Sequence, residues 1–362
     1  MSLTVRPLFP GSAPSQYVEV AGVQVPLNYG DPAAEYLALK QSVGLLDLSF
    51  RSRVCLLGND RKRFLHGQVT NNVNDLPVGQ GCYAALVTAK GKLQSDLYIY
   101  QLADEILLDF EPGLTATVME RLDKYIIADD VQVVDVSEPY GLLAVQGPKA
   151  HEALLALGLA SSLPASPLHF ASIKNDDLGE IYCVNHARGT GQGFDLFVPT
   201  ANLPTVAERL MAALPALGGR VCGWQALETV RIEAGLPRFG ADMDETNLAP
   251  EPGIEARAIS YTKGCYIGQE VIARIRTYGQ VAKALRGLRI TSGPLPKKGD
   301  KLLAGEKEVG YIASSVHSPA LQADIALGYV RREHHAIGTQ LAWRGEDRSG
   351  TAQIVPLPFV NA

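Results

Sequence analysis

Apolar residues recur at helical spacing in some stretches of this chain and alternate with polar ones in others. After a loop-rich start, DPAAEYLALKQSV predicts a short helix from Pro32 to Val43. Leu45–Asp47 then leads into a strand, RSRVCLLGN. Asn59 or Asp60 suits the N-cap of a helix over DRKRFLHGQVTNNV, because its side-chain oxygen accepts from amides that the first turn leaves unpaired. A hairpin follows: CYAALVT, a turn at Ala89-Lys90-Gly91-Lys92, and LQSDLYIYQL. EILLDFE reads as a third strand. TATVMERLDKYII reads as a helix with Val118, Leu122 and Tyr125/Ile126 on one face, and VQVVDVS as a further strand.

A second αβ block comes next. GLLAVQG is a strand, and Pro148 suits the first turn of a helix over PKAHEALLALGL. Residues 161–180 read as loop. EIYCVNHA and FDLFVP are strands on either side of the Gly-rich RGTGQG. LPTVAERLMAAL and GWQALETVRIEAGL are helices, the second closed by Gly235, and 236–268 is irregular. From about Ala284 the pattern changes to short strands at regular intervals: LRGLRI, DKLLAG, EVGYIASSVHS, DIALGYV, QLAWR and TAQIVPLPF. Gly/Pro/Asp turns separate them, the pattern of a small all-β barrel or sandwich.

The 362 residues suit two or three domains. Hydrophobic residues at 46% and a net charge of -5 argue for a folded globular chain. They argue against a nucleic-acid binder that works through a strongly basic field. No run approaches the roughly 18–20 apolar residues of a membrane span, and the N-terminus has no secretory apolar core. Cys55, Cys82, Cys183, Cys222 and Cys265 are scattered and odd in number. They argue against a disulfide scaffold or a regularly spaced zinc site, and cytoplasmic residence is the expectation.

Several segments invite chemistry, and most have plainer readings. Gly189-Thr190-Gly191-Gln192-Gly193 is not GxGxxG and precedes a strand rather than a helix, so it reads as a hairpin turn. Arg61-Lys62-Arg63 reads as a solvated helix face. The histidines (His66, His151, His169, His186, His317, His334, His335) read as structural or surface residues. Asp96 is more pointed. By alternation Leu93, Ser95, Leu97 and Ile99 face the core, while Gln94, Asp96, Tyr98 and Tyr100 face solvent or a polar cavity. A carboxylate among tyrosines there could hold an amine-bearing ligand or move a proton.

The most distinctive run is Lys263-Gly264-Cys265-Tyr266-Ile267-Gly268-Gln269-Glu270. A helix start near Gly268 and Lys263 two residues away would both favour a thiolate at Cys265. The flanking glycines admit close approach. Physics alone leaves Cys265 open between reactive and structural. The other cysteines read as small core residues.

KGCYIGQE resembles the signature of the YgfZ-type folate-binding proteins, relatives of the glycine cleavage T-protein (aminomethyltransferase). FLHGQVTNNV with the hairpin CYAALVTAKGKLQSDLYIY, the block ETVRIEAGLPRFGADMDETNLAPEPGIE and the terminal β region are similar to that superfamily in the same order. The resemblance implies an α+β fold: a three-domain cloverleaf around a channel, with two interleaved αβ domains and a C-terminal β-barrel. The implied domains are 1–48 with 138–222, 49–137 with 223–283, and 284–362. It implies tetrahydrofolate, or a one-carbon derivative of it, as ligand.

Residue by residue, Asp96 falls at the second acid of the T-protein Gly-Gly…Asp-Asp strand, which orients folate and assists one-carbon transfer. Ser95 stands at the first acid and Lys92 at the second glycine. Asp195 falls near the pterin-recognising acid of the GEDGFE segment, where Gly191 and Gln192 replace the preceding Glu-Asp pair. Arg231 matches the arginine associated with the folate tail, and the neighbouring Glu233 reads as a packing residue. The resemblance implies an accessory factor for iron–sulphur protein assembly or maintenance, linked to tRNA modification, with Cys265 as its functional thiol and iron–sulphur client or assembly proteins as partners. One cysteine cannot hold a cluster alone. The alternative is a folate-dependent one-carbon transferase, and a third reading is a fold kept without ligand.

Overall fold

The computed structural model describes residues 3–4, 8–159, 163–189, 191–279 and 281–360. In chain order the elements are β1 (Leu3–Thr4), β2 (Gln16–Val20), β3 (Val23–Asn28), α1 (Pro32–Gln41), β4 (Gly44–Asp47), β5 (Ser52–Leu57), α2 (Arg61–Gln68), β6 (Gly81–Val87), β7 (Leu93–Gln101) and β8 (Ile106–Phe110). There follow α3 (Thr115–Asp123), β9 (Gln132–Asp135), β10 (Tyr140–Gln146), α4 (Ala150–Leu155), β11 (Phe170–Asn175), β12 (Gly179–Asn185), β13 (Gly193–Pro199), α5 (Leu203–Leu217), β14 (Arg220–Val221) and α6 (Trp224–Glu233). The chain closes with α7 (Glu255–Ala258), α8 (Gln269–Tyr278), β15 (Lys283–Ser292), β16 (Lys301–Ala304), β17 (Lys307–Ser318), β18 (Ala323–Arg331), β19 (Gln340–Arg344) and β20 (Ser349–Val355).

The described residues fall into two compact units. One comprises Met1–His66, Val73–Tyr83 and Leu97–Val230. The other comprises Gly67–Asn72, Ala84–Asp96 and Arg231–Ala362. In the first, a six-stranded sheet has the order β11-β12-β13-β10-β4-β14. Its apolar residues on one face, among them Leu45, Leu143, Val145, Leu196 and Val198, pack against α4 and α5 through Leu154, Val206 and Leu210. Its other face meets the sheet that contains β5 and β8, and Leu46, Leu142, Ala144 and Phe197 bury against Cys55, Tyr100 and Leu107. That second sheet has the order β6-β7-β8-β5-β9, and its strands β6 and β7 run on into the second unit.

The second unit carries a closed six-stranded barrel, β15-β18-β17-β16-β19-β20. Alternate residues fill its interior: Leu288, Leu302, Ile312, Ala326, Trp343 and Ile354 are all buried. Outside the barrel, Leu285, Ile325, Leu327 and Tyr329 bury against Ile232 of α6. Closure pairs every strand, so the barrel has no edge to protect.

Several elements depart from the sequence expectation, each for a local reason. α2 ends at Gln68 rather than running to Val73, because Val69 bridges Leu86 and the Thr70 amide donates to the Ala85 carbonyl. A β-bridge there takes over from the helical ladder. α3 stops at Asp123; Tyr125 and Ile126 follow in a turn and Ile127 is 90% exposed. α4 begins at Ala150 with Lys149 at its N-cap, so Pro148 stands outside the helix. The expected loop over 161–180 contains β11, paired antiparallel with β12 from Phe170↔Val184 to Asn175↔Gly179. Its turn needs Gly179 at φ 75°, a left-handed conformation that glycine adopts at little cost. Residues 160–162 lie outside the described residues.

Leu196, fully buried in β13, tests this core. Leu196→Ala is expected to lower unfolding stability by about 2–5 kcal/mol in a guanidinium titration, because it deletes packed methyl groups and leaves a cavity. A loss below about 1 kcal/mol would show that the face does not pack as described.

Candidate functional site

In the first unit, strand pairing and the β12–β13 connection gather a buried charged cluster. Asp195 lies in β13 opposite Ala144 and Val184 and is fully buried. Arg188 grips it side-on: Nε donates to Oδ1 at 3.1 Å and Nη2 to Oδ2 at 2.7 Å. His186 Nδ1 lies 2.8 Å from the same Oδ2. The Arg188 Nη2 also reaches Asp109 Oδ2 at 3.5 Å. Asp109, in β8, accepts from Arg51 Nε at 3.0 and 3.1 Å, and Arg51 Nη1 donates to Glu111 Oε1 at 2.5 Å.

Gln146 secures the backbone of this cluster. Its Nε2 donates to the His186 carbonyl at 3.0 Å, and its Oε1 accepts from the Arg188 amide at 2.9 Å. Gly193 leaves room for it: a Cβ there would lie 2.2 Å from Gln146 Oε1 and would displace the Gln146 amide. The Tyr98 ring packs against the His186 ring with centroids 4.3 Å apart.

The charge states follow from these partners. Burial pushes the Asp195 carboxyl up, but Arg188 and His186 outweigh it and hold the group at about 2. Burial lowers the His186 pKa against the pull of Asp195, so the ring is neutral near pH 7 with its proton on the Nδ1 that faces the carboxylate. Burial alone would lower Arg188, yet Asp195 keeps it above its usual value.

The second unit collects the other expected residues. Asp96 lies in β7 and is 8% exposed, so of the two expectations for its face, solvent or a polar cavity, open solvent does not hold. The hairpin tip before it is tied down: Lys92 bridges Leu248, the Leu93 amide donates to the Asn247 carbonyl, and Ala249 donates to Gly91. Gly268 packs against the same tip. It adopts φ 87°, and a Cβ on it would meet the Thr88 carbonyl oxygen at 2.5 Å.

The KGCYIGQE run is anchored by its first residue. Lys263 is buried, and its Nζ donates to the carbonyls of Val69 at 2.6 Å and Asn71 at 2.9 Å and lies 4.8 Å from the Tyr266 ring centroid. The Lys263 ammonium thus holds the loop down through backbone oxygens, where the sequence suggested a partner for the Cys265 thiolate. Cys265 itself is exposed, Gly264 precedes it, and Tyr266 is buried behind it. α8 begins at Gln269 with Gly268 as its N-cap, and Glu270 pairs with Arg274 on the exposed face at 2.8 Å.

Arg231 is 6% exposed. Its Nη1 donates to the Leu236 carbonyl and to Asp242 Oδ2, both at 2.7 Å. Glu233 accepts from Ser318 of β17 at 2.5 Å. Asp96, Arg231 and Cys265 therefore belong to one compact unit and Asp195 to the other.

The chain is similar over most of its length to glycine cleavage T-proteins. Residues 12–263 match the GCVT N-terminal domain, and residues 283–361 match the glycine cleavage T-protein C-terminal barrel domain. The chain belongs to the glycine cleavage T-protein family. It is 31% identical over 350 residues to the aminomethyltransferase of Saccharopolyspora erythraea, with 95% of this chain and 94% of the relative covered. It is 29% identical over 364 residues to that of Thermosynechococcus vestitus, with 99% and 96% covered. The crystal structure of glycine cleavage system aminomethyltransferase T from Bartonella henselae superposes with a TM-score of 0.85 over 96% of this chain and 95% of that one, at 21% identity. The fold is accordingly that of the T-proteins, a mixed αβ region followed by the six-stranded barrel. No helix among the described residues is long and apolar enough to cross a membrane.

Sequence reasoning singled out Asp195 but missed the residues around it. His186 was read as structural or surface, and Arg188, Asp109, Arg51, Glu111 and Gln146 were not singled out. The short spacing of His186, Arg188 and Asp195 across one hairpin was the available clue.

The cluster makes stability depend on pH. Asp195 titrates lower in the folded chain than in the unfolded one, so its contribution is complete above about pH 5 and is lost as pH falls toward 2. His186 is also depressed, so its contribution fades below the unfolded value of about 6.5. Thermal unfolding from pH 8 to pH 3 should therefore show Tm falling with acidification. Asp195→Asn should flatten that acid limb as well as lower Tm at pH 7, and an equally steep limb in the variant would contradict the assignment.

Proposed function

We propose that this T-protein family member binds a reduced folate and acts on its one-carbon unit as a folate-dependent one-carbon transferase, the activity its relatives' name of aminomethyltransferase describes. The observation that carries this reading is Asp96. It is a carboxylate buried to 8% exposure on β7, and its strand and turn are pinned by the 247–249 segment. A buried carboxylate fixed in this way suits holding an amine or an N–H of the ligand, and accepting a proton as the one-carbon unit changes partner. Tetrahydrofolate supplies the nitrogen that carries the carbon. Asp96 would orient that nitrogen, and Arg231 of the same unit would meet the acidic tail. The donor set is compatible in kind. Arg231 already holds Asp242 as an ion-pair partner.

A second reading has its own support. Cys265 is exposed at the end of an anchored loop, with Lys263 locking the backbone and Gly268 closing it against the hairpin tip. A thiol presented on a rigid loop suits contact with a protein partner, and it supports a folate-binding accessory factor for iron–sulphur proteins, acting in the cytoplasm on clients that provide the remaining ligands.

The two readings separate on two variants. Tetrahydrofolate binding is measured by anaerobic calorimetry, and transfer by formation of methylenetetrahydrofolate from an aminomethyl donor. The transferase reading expects Asp96→Asn to reduce transfer by about 100-fold or more, in the range of a lost acid–base group, while Cys265→Ser leaves it unchanged. Binding without transfer in the wild type, with a loss of iron–sulphur enzyme activity in cells carrying Cys265→Ser, would favour the accessory reading. No tetrahydrofolate binding would exclude both.

A further inference from the structure

Arg188 is bound to Asp195 in a particular way. Its guanidinium presents two N–H groups on one edge, Nε and Nη2, to the two oxygens of one carboxylate at 3.1 and 2.7 Å. That fork is the chemistry by which a carboxylate holds any planar N–C–N edge with two parallel N–H donors. The 2-amino-4-oxopyrimidine ring of a pterin carries such an edge. A buried carboxylate cannot serve both at once.

The surroundings offer Arg188 somewhere to go. Asp109 Oδ2 already lies 3.5 Å from its Nη2, and Asp109 is fully buried with Arg51 as its other partner. The Arg188 amide is fixed to Gln146 Oε1 at 2.9 Å, so a change of partner needs only side-chain torsions. His186 stays on Asp195 Oδ2 through Nδ1 and keeps the carboxylate aimed.

We propose that Arg188 is an internal stand-in for the ligand. It occupies the Asp195 carboxylate in the free protein, and a heterocycle with a planar N–H edge displaces it onto Asp109. That the heterocycle is a pterin rests on the folate reading above; that the carboxylate exchanges one planar donor edge for another does not. Ligand binding then costs the breaking of an existing ion pair, which reduces affinity and keeps the buried acid neutralised while the site is vacant.

The test uses the full chain with Arg188→Met, and with Arg188→Lys, which keeps a cation beside the acid but lacks the fork. Two probes are titrated: 5-formyltetrahydrofolate by calorimetry, and 2-amino-4-hydroxypyrimidine by thermal shift. The expected result is a dissociation constant for the folate about tenfold lower in either variant than in the wild type, as removal of a competing state predicts. The small pyrimidine should raise Tm in the variants and leave the wild type unmoved. Weaker folate binding in the variants would overturn the proposal, because Arg188 would then be a ligand contact. Unchanged affinity with a lowered Tm would also overturn it, because Arg188 would then be structural only. If no form binds the folate but the variants still respond to the pyrimidine, the folate reading fails and the exchange at Asp195 stands. If the variants respond to neither probe, the proposal fails.

Discussion

The first unit depends on one salt bridge that reaches across two sheets. Asp195 belongs to the six-stranded sheet and Asp109 to the sheet that contains β5 and β8, and Arg188 touches both. Burying charge is unfavourable unless each group is paired and hydrogen-bonded, and removing one partner of such a pair typically costs about 3–5 kcal/mol. The sheets meet through the packed apolar residues Leu142, Ala144 and Phe197 against Cys55, Tyr100 and Leu107, which have no directional preference of their own. The ionic cluster has one. Gln146 fixes the hairpin backbone, Arg51 fixes Asp109, and the register of β10 against β13 sets where Asp195 falls. Apolar burial drives the association and the charges select its alignment.

The second unit solves a similar problem with backbone contacts. Its candidate segments are far apart in sequence: a hairpin near residue 90, a loop near 248 and a loop near 265. Main-chain hydrogen bonds join the first two, and Gly268 lets the third approach within contact of Thr88. Lys263 donates to the carbonyls of Val69 and Asn71 in the segment that follows α2. A lysine suits this position because its ammonium reaches two oxygens at once and lies over the face of the Tyr266 ring.

What was legible in the sequence followed the range of the interaction that decided it. The hairpin β6–β7, the helices α1, α5 and α6, and the barrel strands rest on local periodicity and turn residues, and periodicity found them. β11 escaped because FASIKN alternates weakly, with polar residues on both faces, and its strand state comes from β12 beside it. α2 was read too long because nothing within DRKRFLHGQVTNNV announces that Val69 will pair with Leu86. The site divides in the same way. Asp96 stood out through its strand and through family resemblance, and Asp195 through the resemblance. Arg51 and Asp109, 58 residues apart, and Arg188 and Asp109, 79 apart, are partners that only the folded sheets create.

The same distinction bears on how motifs are read. Lys263 stands two residues from Cys265, and proximity in sequence suggested that the ammonium serves the thiol. In the fold the lysine turns inward to Val69 and Asn71, while the thiol remains outside. Adjacent residues on an irregular loop have no fixed period, so neighbours there often point to opposite sides. A motif of this kind records a shape as much as a chemistry: the lysine, Tyr266 and Gly268 form the shape, and Cys265 is the group that shape presents. Asp195 is the converse case. The family resemblance alone marked this acid, and its partners Arg188 and His186 come from the fold. For both groups, availability to a ligand or partner is set by the residues that hold the backbone around them and by the charges that already occupy them.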